Sequence, residues 1–398
     1  MIRNNLTLFT TAVLCLLAVS CGPKATIIQS DDTEPLTTQG AKVISIVPGQ
    51  DSVRFSELIK SVDIIPLQTS DESLINEIRT IKYDDGMFFV FDYMGKSILK
   101  FDMNGQFKGR IGNRGRGRGE YLFPNLMGID RKNRTILVGD NTKYMLKYTY
   151  DGEFISSADF PISASDFEVT DDSYIFYTGK SVNFKPGYED YWGAELMIID
   201  RNNTDSIRRY IPVDKELYPV NEGHTTITDN APLTPLSDSY TLHYNFTDYI
   251  FSVDCKSGAV KVKYVVDYGK NAYTDNLADM PAMDALQYIG THPEKTGWTH
   301  QVIETDALLT FMYAHNKWQY IYFNDKATGK TLNGPFVTDI ASSNVVHGFI
   351  DDRTMFSYIE KKSSLNEGLA DKGIRINGLE RLDNVTENDN PIILIYHY

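Results

Sequence analysis

The chain has 398 residues and carries 53 acidic against 39 basic side chains, a formal charge of −14 at neutral pH. So acidic a chain is a poor partner for nucleic acid, whose recognition needs a basic face that releases counterions. It also has no electrostatic reason to lie on an anionic lipid surface.

Residues 1–20, MIRNNLTLFTTAVLCLLAVS, hold one basic residue, Arg3, and then an uncharged apolar run from Leu6 to Ser20. The run is short for a membrane-spanning helix and reads as an export signal. LLAVSC resembles a bacterial lipobox, in which a small residue precedes a cysteine that becomes the acylated amino terminus. Ser20 and Cys21 fit that pattern, while Ala18 stands where Leu, Val or Ile is usual. An ordinary signal peptide cut nearby is the alternative. Loss of residues 1–20 removes one positive charge and leaves −15. Cys15 leaves with the signal and Cys21 is the expected lipid carrier. Cys255 is then without a partner, so no disulfide and no cysteine-based metal site is expected, and Cys255 reads as a buried, inert thiol. Residues 21–42 are polar and turn-rich, the composition of a flexible tether, and 43–398 form the expected folded domain. No later segment is long and apolar enough to cross a membrane, so attachment is expected through lipid alone.

From about residue 43 the chain alternates short Tyr/Phe/Ile/Val-rich strands with Asp/Asn/Gly turns, an all-β signal. One hairpin phrase recurs: ILKFDMNGQFKGRIG at 98–112, MLKYTYDGEFISSADF at 145–160, LMIIDRNNTDSIRRYI at 196–211, IFSVDCKSGAVKVKYVV at 250–266 and YIYFNDKATGKTLNGPFV at 320–337. With Phe101, Tyr148, Ile199, Val253 and Phe323 aligned, the steps are 47, 51, 54 and 70 residues, the first three of propeller-blade length. Strands such as MFFVFDY at 87–93 and LLTFMYAH at 308–315 lie between the hairpins and bring each unit to four strands. A sixth unit runs from VVHGFIDDRTMFSYIE to the terminal PIILIYHY, and its missing outer strand is expected from SVDIIPLQTS at 61–70. Closure by both chain ends removes the bare sheet edges that promote aggregation. The long fourth step holds DNLADMPAMDALQYIG, which predicts a helix near 279–290. Asp279 is its expected cap, and Met283, Leu286 and Ile289 form an apolar stripe against the blades.

The stretch IGNRGRGRGEYLF at 111–123 alternates Arg114, Arg116 and Arg118 with Gly115, Gly117 and Gly119. Its glycines permit a sharp turn between blades, with Glu120 free to pair with an arginine and Tyr121 anchored in the seam. The other reading is a clamp in which the arginines hold a carboxylate or sulfate.

The succession VDIIPLQTS, VFDYMGKSILKFDMNGQFKGRIGNRGRGRGEY and NPIILIY resembles the six-bladed, NHL-like β-propeller lipoproteins of Bacteroidota over nearly the whole mature chain. In that family the Gly-x-Gly-x-Gly-Glu-Tyr loop usually has Pro before the last Gly, where this chain has Arg118. The resemblance implies a propeller and an exported, envelope location, and it implies no defined activity.

Catalytic motifs are missing: no Gly-x-Ser-x-Gly elbow and no His-Glu-x-x-His pair occurs. TGKT at 328–331 lacks the first glycine of a phosphate loop, and DMNGQ at 102–106 lacks the ligand alternation of a calcium loop, so both read as turns. His292 and His300 flank Trp298 without a standard metal spacing, and no metal or cofactor is expected. The carboxylate pairs Glu304/Asp306 and Glu189/Asp190 could serve a glycosidase but read better as solvated charge. Candidate ligand-binding residues are Arg114, Arg116 and Arg118, with Tyr188, Tyr191 and Trp192 in one polar loop and Trp298 and His300 in another. The aromatic groups could instead cover blade edges.

The expectation is therefore an all-β, six-bladed propeller of four-stranded blades with one short helical insertion, lipid-anchored at the outer membrane. Its expected work is non-catalytic binding of a glycan, peptide or envelope protein through loops on one face. The competing class is a carbohydrate-active hydrolase or lyase with acidic residues near the axis, marked by carboxylates about 5–9 Å apart.

Overall fold

Six sheets follow one another along the chain, and their first strands meet around a common axis. The computed structural model describes residues 27–28, 34–141, 144–160, 162–181, 183, 193–213, 231–342 and 345–398. Blade 1 is Ile78–Asp84, Met87–Asp92, Ser97–Asp102 and Phe107–Arg110, and blade 2 is Pro124–Asp130, Thr135–Asp140, Tyr144–Thr149 and Phe154–Asp159. Blade 3 is Asp166–Val169, Ser173–Tyr177, Ala194–Asp200 and Ile207–Pro212, and blade 4 is Leu233–Pro235, Ser239–Leu242, Tyr249–Asp254 and Val260–Asp267. Blade 5 is Thr296–Glu304, Leu308–His315, Trp318–Asp325 and Thr331–Val337. The fold is the six-bladed propeller that the hairpin repeat predicts.

Each blade stands between two others, so its middle strands are covered on both faces and read as unbroken apolar runs. Phe88, Phe89, Val90 and Phe91 are all fully buried for this reason. The cores lie in the seams between neighbouring blades; Phe88, Leu99 and Phe101 of blade 1, for example, meet Phe356, Ile393 and Ile395 of blade 6. Aspartate recurs at the hairpins because its carboxylate can hold the turn. That of Asp102 accepts the amides of Asn104 and Gln106 at 2.9 and 3.0 Å, while Gly105 turns the chain at φ 78°.

Blade 6 closes the ring with strands from both ends of the sequence. Gly348–Asp351 and Thr354–Ile359 are followed by the C-terminal Ile392–His397, and Ser61–Pro66 completes the sheet with Ile393 opposite Ile65 and Tyr396 opposite Val62. The outer strand expected from the N-terminal side is thus in place. Blades 4, 5 and 6 also carry a fifth, parallel strand, which the sequence reading does not foresee: Lys42–Ser45, Val53–Arg54 and Arg375–Asn377 respectively. Within the stretch expected to be tether, Glu34 bridges to Tyr210 of blade 3 and Leu36 is buried.

The helix spans Ala282–Thr291, starting later than expected because Pro281, with φ −53°, is its cap residue. Asp279 does not cap it; this residue ends a preceding turn, where its carboxylate accepts the Asn276 side-chain amide at 2.6 Å. Ala282 and Ala285 face Phe246 and Leu277, and Leu286 and Ile289 pack against the same cluster as expected, while Met283 is exposed.

Ile392, Ile393, Leu394 and Ile395 are each at most 1% exposed. Burial of such side chains is worth about 1.5–3 kcal/mol apiece, a sum comparable to the whole stability of a typical domain, about 5–15 kcal/mol. Removal of residues 391–398 is therefore expected to abolish the cooperative melting transition seen by calorimetry; an unchanged transition would contradict this closure.

Candidate functional site

The hairpins that join the first and second strands of the blades gather at one end of the axis and surround a funnel of about 1060 Å³. Every blade contributes, and the turn chemistry of each contribution is ordinary: Asp84 and Asp85 in blade 1, Asp171 and Asp172 in blade 3, Asp238 in blade 4, Asp306 in blade 5 and Asp351 and Asp352 in blade 6. Asp254, at an outer turn of blade 4, brings the lining among the described residues to nine aspartates, against which stand Arg131 of blade 2 and Lys256. Repetition of a local turn preference in five of the six blades thus gathers negative charge at one mouth. Part of it is neutralised nearby, since Asp171 pairs with Lys132 at 2.8 Å and Asp85 with Arg134. Among the described residues Asp172, Asp238 and Asp352 have no ion pair. Cys255 also lines the funnel, half-buried, its thiol pushed up to about 11 by burial and then by Asp254 and Asp238. A thiol so protonated is a weak nucleophile.

Beneath the funnel the axis narrows to a cavity of about 50 Å³ walled by Lys82, Asp166, Glu168, Arg131 and His347. Lys82, on the first strand of blade 1, reaches past blade 2 to blade 3. Its ammonium donates to Asp166 at 3.0 Å, Glu168 at 2.7 Å and the Phe167 carbonyl at 2.8 Å, which uses all three of its protons. The other oxygen of Glu168 accepts from the Tyr240 hydroxyl of blade 4 at 3.3 Å and faces Arg131 at 3.5 Å. Burial, the largest influence, pushes the Lys82 ammonium down, but attraction to Asp166 and Glu168 outweighs it and leaves the group above its ordinary value. Burial likewise raises both carboxyls. It prevails at Asp166, whereas Lys82 and Arg131 together hold Glu168 below the usual range. Burial takes His347 down to about 4, so this ring is neutral at pH 7. Four blades are thereby tied across the axis by one charged strut.

The arginine–glycine stretch lies elsewhere, in the seam of blades 1 and 2. Tyr121 is buried there as expected, its hydroxyl donating to the Ile111 carbonyl at 3.0 Å, and the Tyr148 hydroxyl holds the Gly119 carbonyl at 2.9 Å. Gly119 has φ 77°, and a side chain on it would strike the Phe154 ring. Glu120 does not pair with an arginine: its carboxylate accepts the Gly117 amide at 2.7 Å, folding back onto the loop's own backbone. The side chains of Arg114, Arg116 and Arg118 are exposed and, among the described residues, make no hydrogen bond or ion pair.

Trp298 and His300 are brought together, stacked with centroids 4.3 Å apart, and Trp298 also packs with the residues under the helix while its indole N–H donates to Asn245 at 3.3 Å. His300 is buried. Tyr188, Tyr191, Trp192, the Glu189/Asp190 pair and Cys21 lie outside the described residues. Glu304 is not solvated: it is fully buried in the seam of blades 4 and 5, where Lys263 and Lys326 reach it at 2.9 and 2.7 Å and Tyr264 donates to it at 2.8 Å. Asp306 is exposed at the funnel. Among the described residues no group of three or more His, Cys, Asp or Glu is arranged to hold a metal.

Over residues 41–397 the chain matches the family model DUF4934, a domain of unknown function. The chain belongs to the DUF4934 family. This DUF4934 propeller is similar in fold to a protein of Bacteroides fragilis inferred to be exported, with 17% identity and a TM-score of 0.65 over 89% of this chain and 99% of the other. A DUF4221 member from Bacteroides vulgatus aligns at 12% identity and a TM-score of 0.49, covering 85% of this chain and 97% of that one. No curated protein matches.

Lys82 is the residue on which the axial strut turns, so Lys82→Met would leave Asp166 and Glu168 buried without their cation. The expected loss in chemical denaturation is about 3–5 kcal/mol. Adding Asp166→Asn and Glu168→Gln removes the orphaned charges and is expected to recover much of that loss.

Proposed function

We propose that this DUF4934 propeller is a lipid-anchored, non-catalytic recognition module of the cell envelope that binds a partner through its funnel face. The observation that carries the reading is the funnel: about 1060 Å³ on a rigid six-bladed ring, with nine aspartates against Arg131 and Lys256. A cavity of this size is ample for a ligand side chain or short segment, and its charge selects cations. A basic peptide segment of an envelope protein suits it better than a neutral or acidic glycan. The address follows from the export signal at 1–20, the lipobox-like AVSC ending in Cys21 and the polar stretch after it, with the outer membrane as destination. The Bacteroides fragilis protein of similar fold, itself inferred to be exported, supports export, the first part of that address.

The enzyme reading has one observation in its favour. Asp166 and Glu168 converge at the axis with their protonation biased in opposite directions, the arrangement from which acid and base roles are made. Both carboxylates are, however, fastened to the same Lys82 ammonium, and Glu168 also meets Arg131 and Tyr240. Groups so committed serve as a strut more readily than as proton carriers.

A peptide and glycan array tests the binding reading. Capture is expected for Lys/Arg-rich peptides, weakening as salt rises, and is expected to disappear when Asp172, Asp238 and Asp352 are all changed to Asn. Release of reducing sugar from a polysaccharide panel, abolished by Asp166→Asn, would favour the enzyme instead. For the anchor, metabolic labelling with a fatty acid is expected to tag the wild type and to be lost in Cys21→Ser; a label that survives would remove the lipid from the proposal.

A further inference from the structure

The outermost strand of a propeller blade exposes a row of backbone N–H and C=O groups, a standing template for another strand. This chain meets that problem blade by blade around its rim. Arg375–Asn377 covers blade 6, Val53–Arg54 covers blade 5 and Lys42–Ser45 covers blade 4, each in parallel register. At blade 3 the Glu34 amide donates to the Arg209 carbonyl at 2.8 Å, forming the parallel bridge to Tyr210. At blade 1 Gln68 does the work, its side-chain carbonyl accepting the Phe107 amide at 3.0 Å and its own amide donating to Gly105 at 2.8 Å. Blade 2 differs. Its outer strand, Phe154–Asp159, pairs inward with Tyr144–Thr149, and among the described residues nothing pairs with its outer edge. Residues 155–159 are all exposed, Ile155 by 45%. The strand, FISSAD, also lacks the proline or lysine with which bare edges are usually blunted.

Beside this edge lies a groove of about 580 Å³ between the strand and the arginine–glycine loop, with Arg116 and Arg118 on one side and Tyr144, Phe154 and Ile155 on the other. It shares no lining residue with the funnel. Two carboxylates border it, and both are turned to the loop's own amides: Glu120 to Gly117 at 2.7 Å, and Asp140 to Leu122 and Phe123 at 2.7 and 2.9 Å. The guanidiniums of Arg114, Arg116 and Arg118 are exposed and, among the described residues, unpaired. Their loop is held rigid by Tyr121, Tyr148 and the crowded glycines, so placing three like charges together costs repulsion that no partner within the described chain relieves. Rigid presentation lowers the ordering cost of binding.

We propose that the bare edge of blade 2 and the arginine loop form one docking site for an extended acidic peptide segment of a partner protein, which adds a strand to Phe154–Asp159. Its backbone would fill the ladder, as the chain's own rim segments do at blades 4, 5 and 6. Alternate side chains of an added strand fall on the groove side, where carboxylates meet Arg116 and Arg118 in charge-assisted, bidentate geometry. The site goes beyond the funnel reading and stands independently of it, since the two surfaces prefer ligands of opposite charge.

The test uses the full chain and three fluorescent octapeptides: one alternating valine with glutamate, one alternating valine with lysine, and the acidic one N-methylated at alternate residues. The acidic peptide is expected to bind, and Arg114→Glu/Arg116→Glu/Arg118→Glu is expected to weaken it at least roughly tenfold with the melting temperature unchanged. The N-methylated peptide, equal in charge but unable to complete the ladder, is expected to bind roughly tenfold more weakly as well. Amide exchange at 154–159 is expected to slow when the acidic peptide is added. Equal binding of the N-methylated peptide, unslowed exchange, or retained binding in the charge-reversed protein would each overturn the proposal. So would preference for an oligogalacturonate over the acidic peptide, which would make the groove a sugar site. Binding of the lysine peptide that persists in the charge-reversed protein belongs to the funnel and is separated by Asp172→Asn/Asp238→Asn/Asp352→Asn.

Discussion

The pairing of Ile392–His397 with Ser61–Pro66 is the contact on which every other seam depends. Six blades can bury both faces only if the circle is complete; with that ladder open, the facing surfaces of blades 6 and 1 would both be wet. It is also the contact that chain entropy opposes most, because its two strands lie more than 300 residues apart in sequence. Its side chains answer with a dense apolar run, and the neighbouring Asn390 ties the corner by donating to the carbonyls of Gln68 and Ser73 at 2.7 and 2.8 Å. A fold of this contact order is expected to assemble blade by blade and close last.

Once the ring is closed, its symmetry multiplies whatever the turns contain. An aspartate in a hairpin is a local solution, stabilising one turn through backbone amides. Repeated around an axis, the same choice produces a collective negative field that no single hairpin needs for its own stability. The strut beneath does not discharge that field: Lys82 and Arg131 bring positive charge to the axis just below the mouth, but Asp166 and Glu168 match it there. Gly128, on the first strand of blade 2, allows the close approach this requires, since a side chain there would strike Phe167.

The blades were legible because hairpin turns and fully buried strands are local signals. MFFVFD and SILKFD declare their strands, and the Asp and Gly between blade strands declare the turns. The closing partner of PIILIYHY was legible as well, through the apolar SVDIIP placed before the first full unit. The axial strut was not: Lys82, Asp166 and Glu168 are scattered through the sequence and sit among ordinary strand charges, and only closure brings them within hydrogen-bond reach. Glu304 was hidden for the same reason, its lysines arriving from Lys263 and Lys326 on different blades. The funnel left a trace, aspartate recurring at corresponding hairpins, but a turn reading absorbs each one singly. In the arginine loop the glycines spoke for the turn and Tyr121 for the seam. The partner of Glu120 was a backbone amide, which sequence composition does not encode.

The rim segments also give the molecule a mechanical order. Between Glu34 and Ser61 the chain touches blades 3, 4 and 5 in turn through a single bridge, four residues and two residues before it enters the closing sheet. A pull on the amino-terminal side would reach these pairings one after another before tension arrived at Ser61–Pro66. The last stretch before that ladder would hold longest, because Phe55, Leu58 and Ile59 are buried against blade 6 and Ser56 is tied to Asp339.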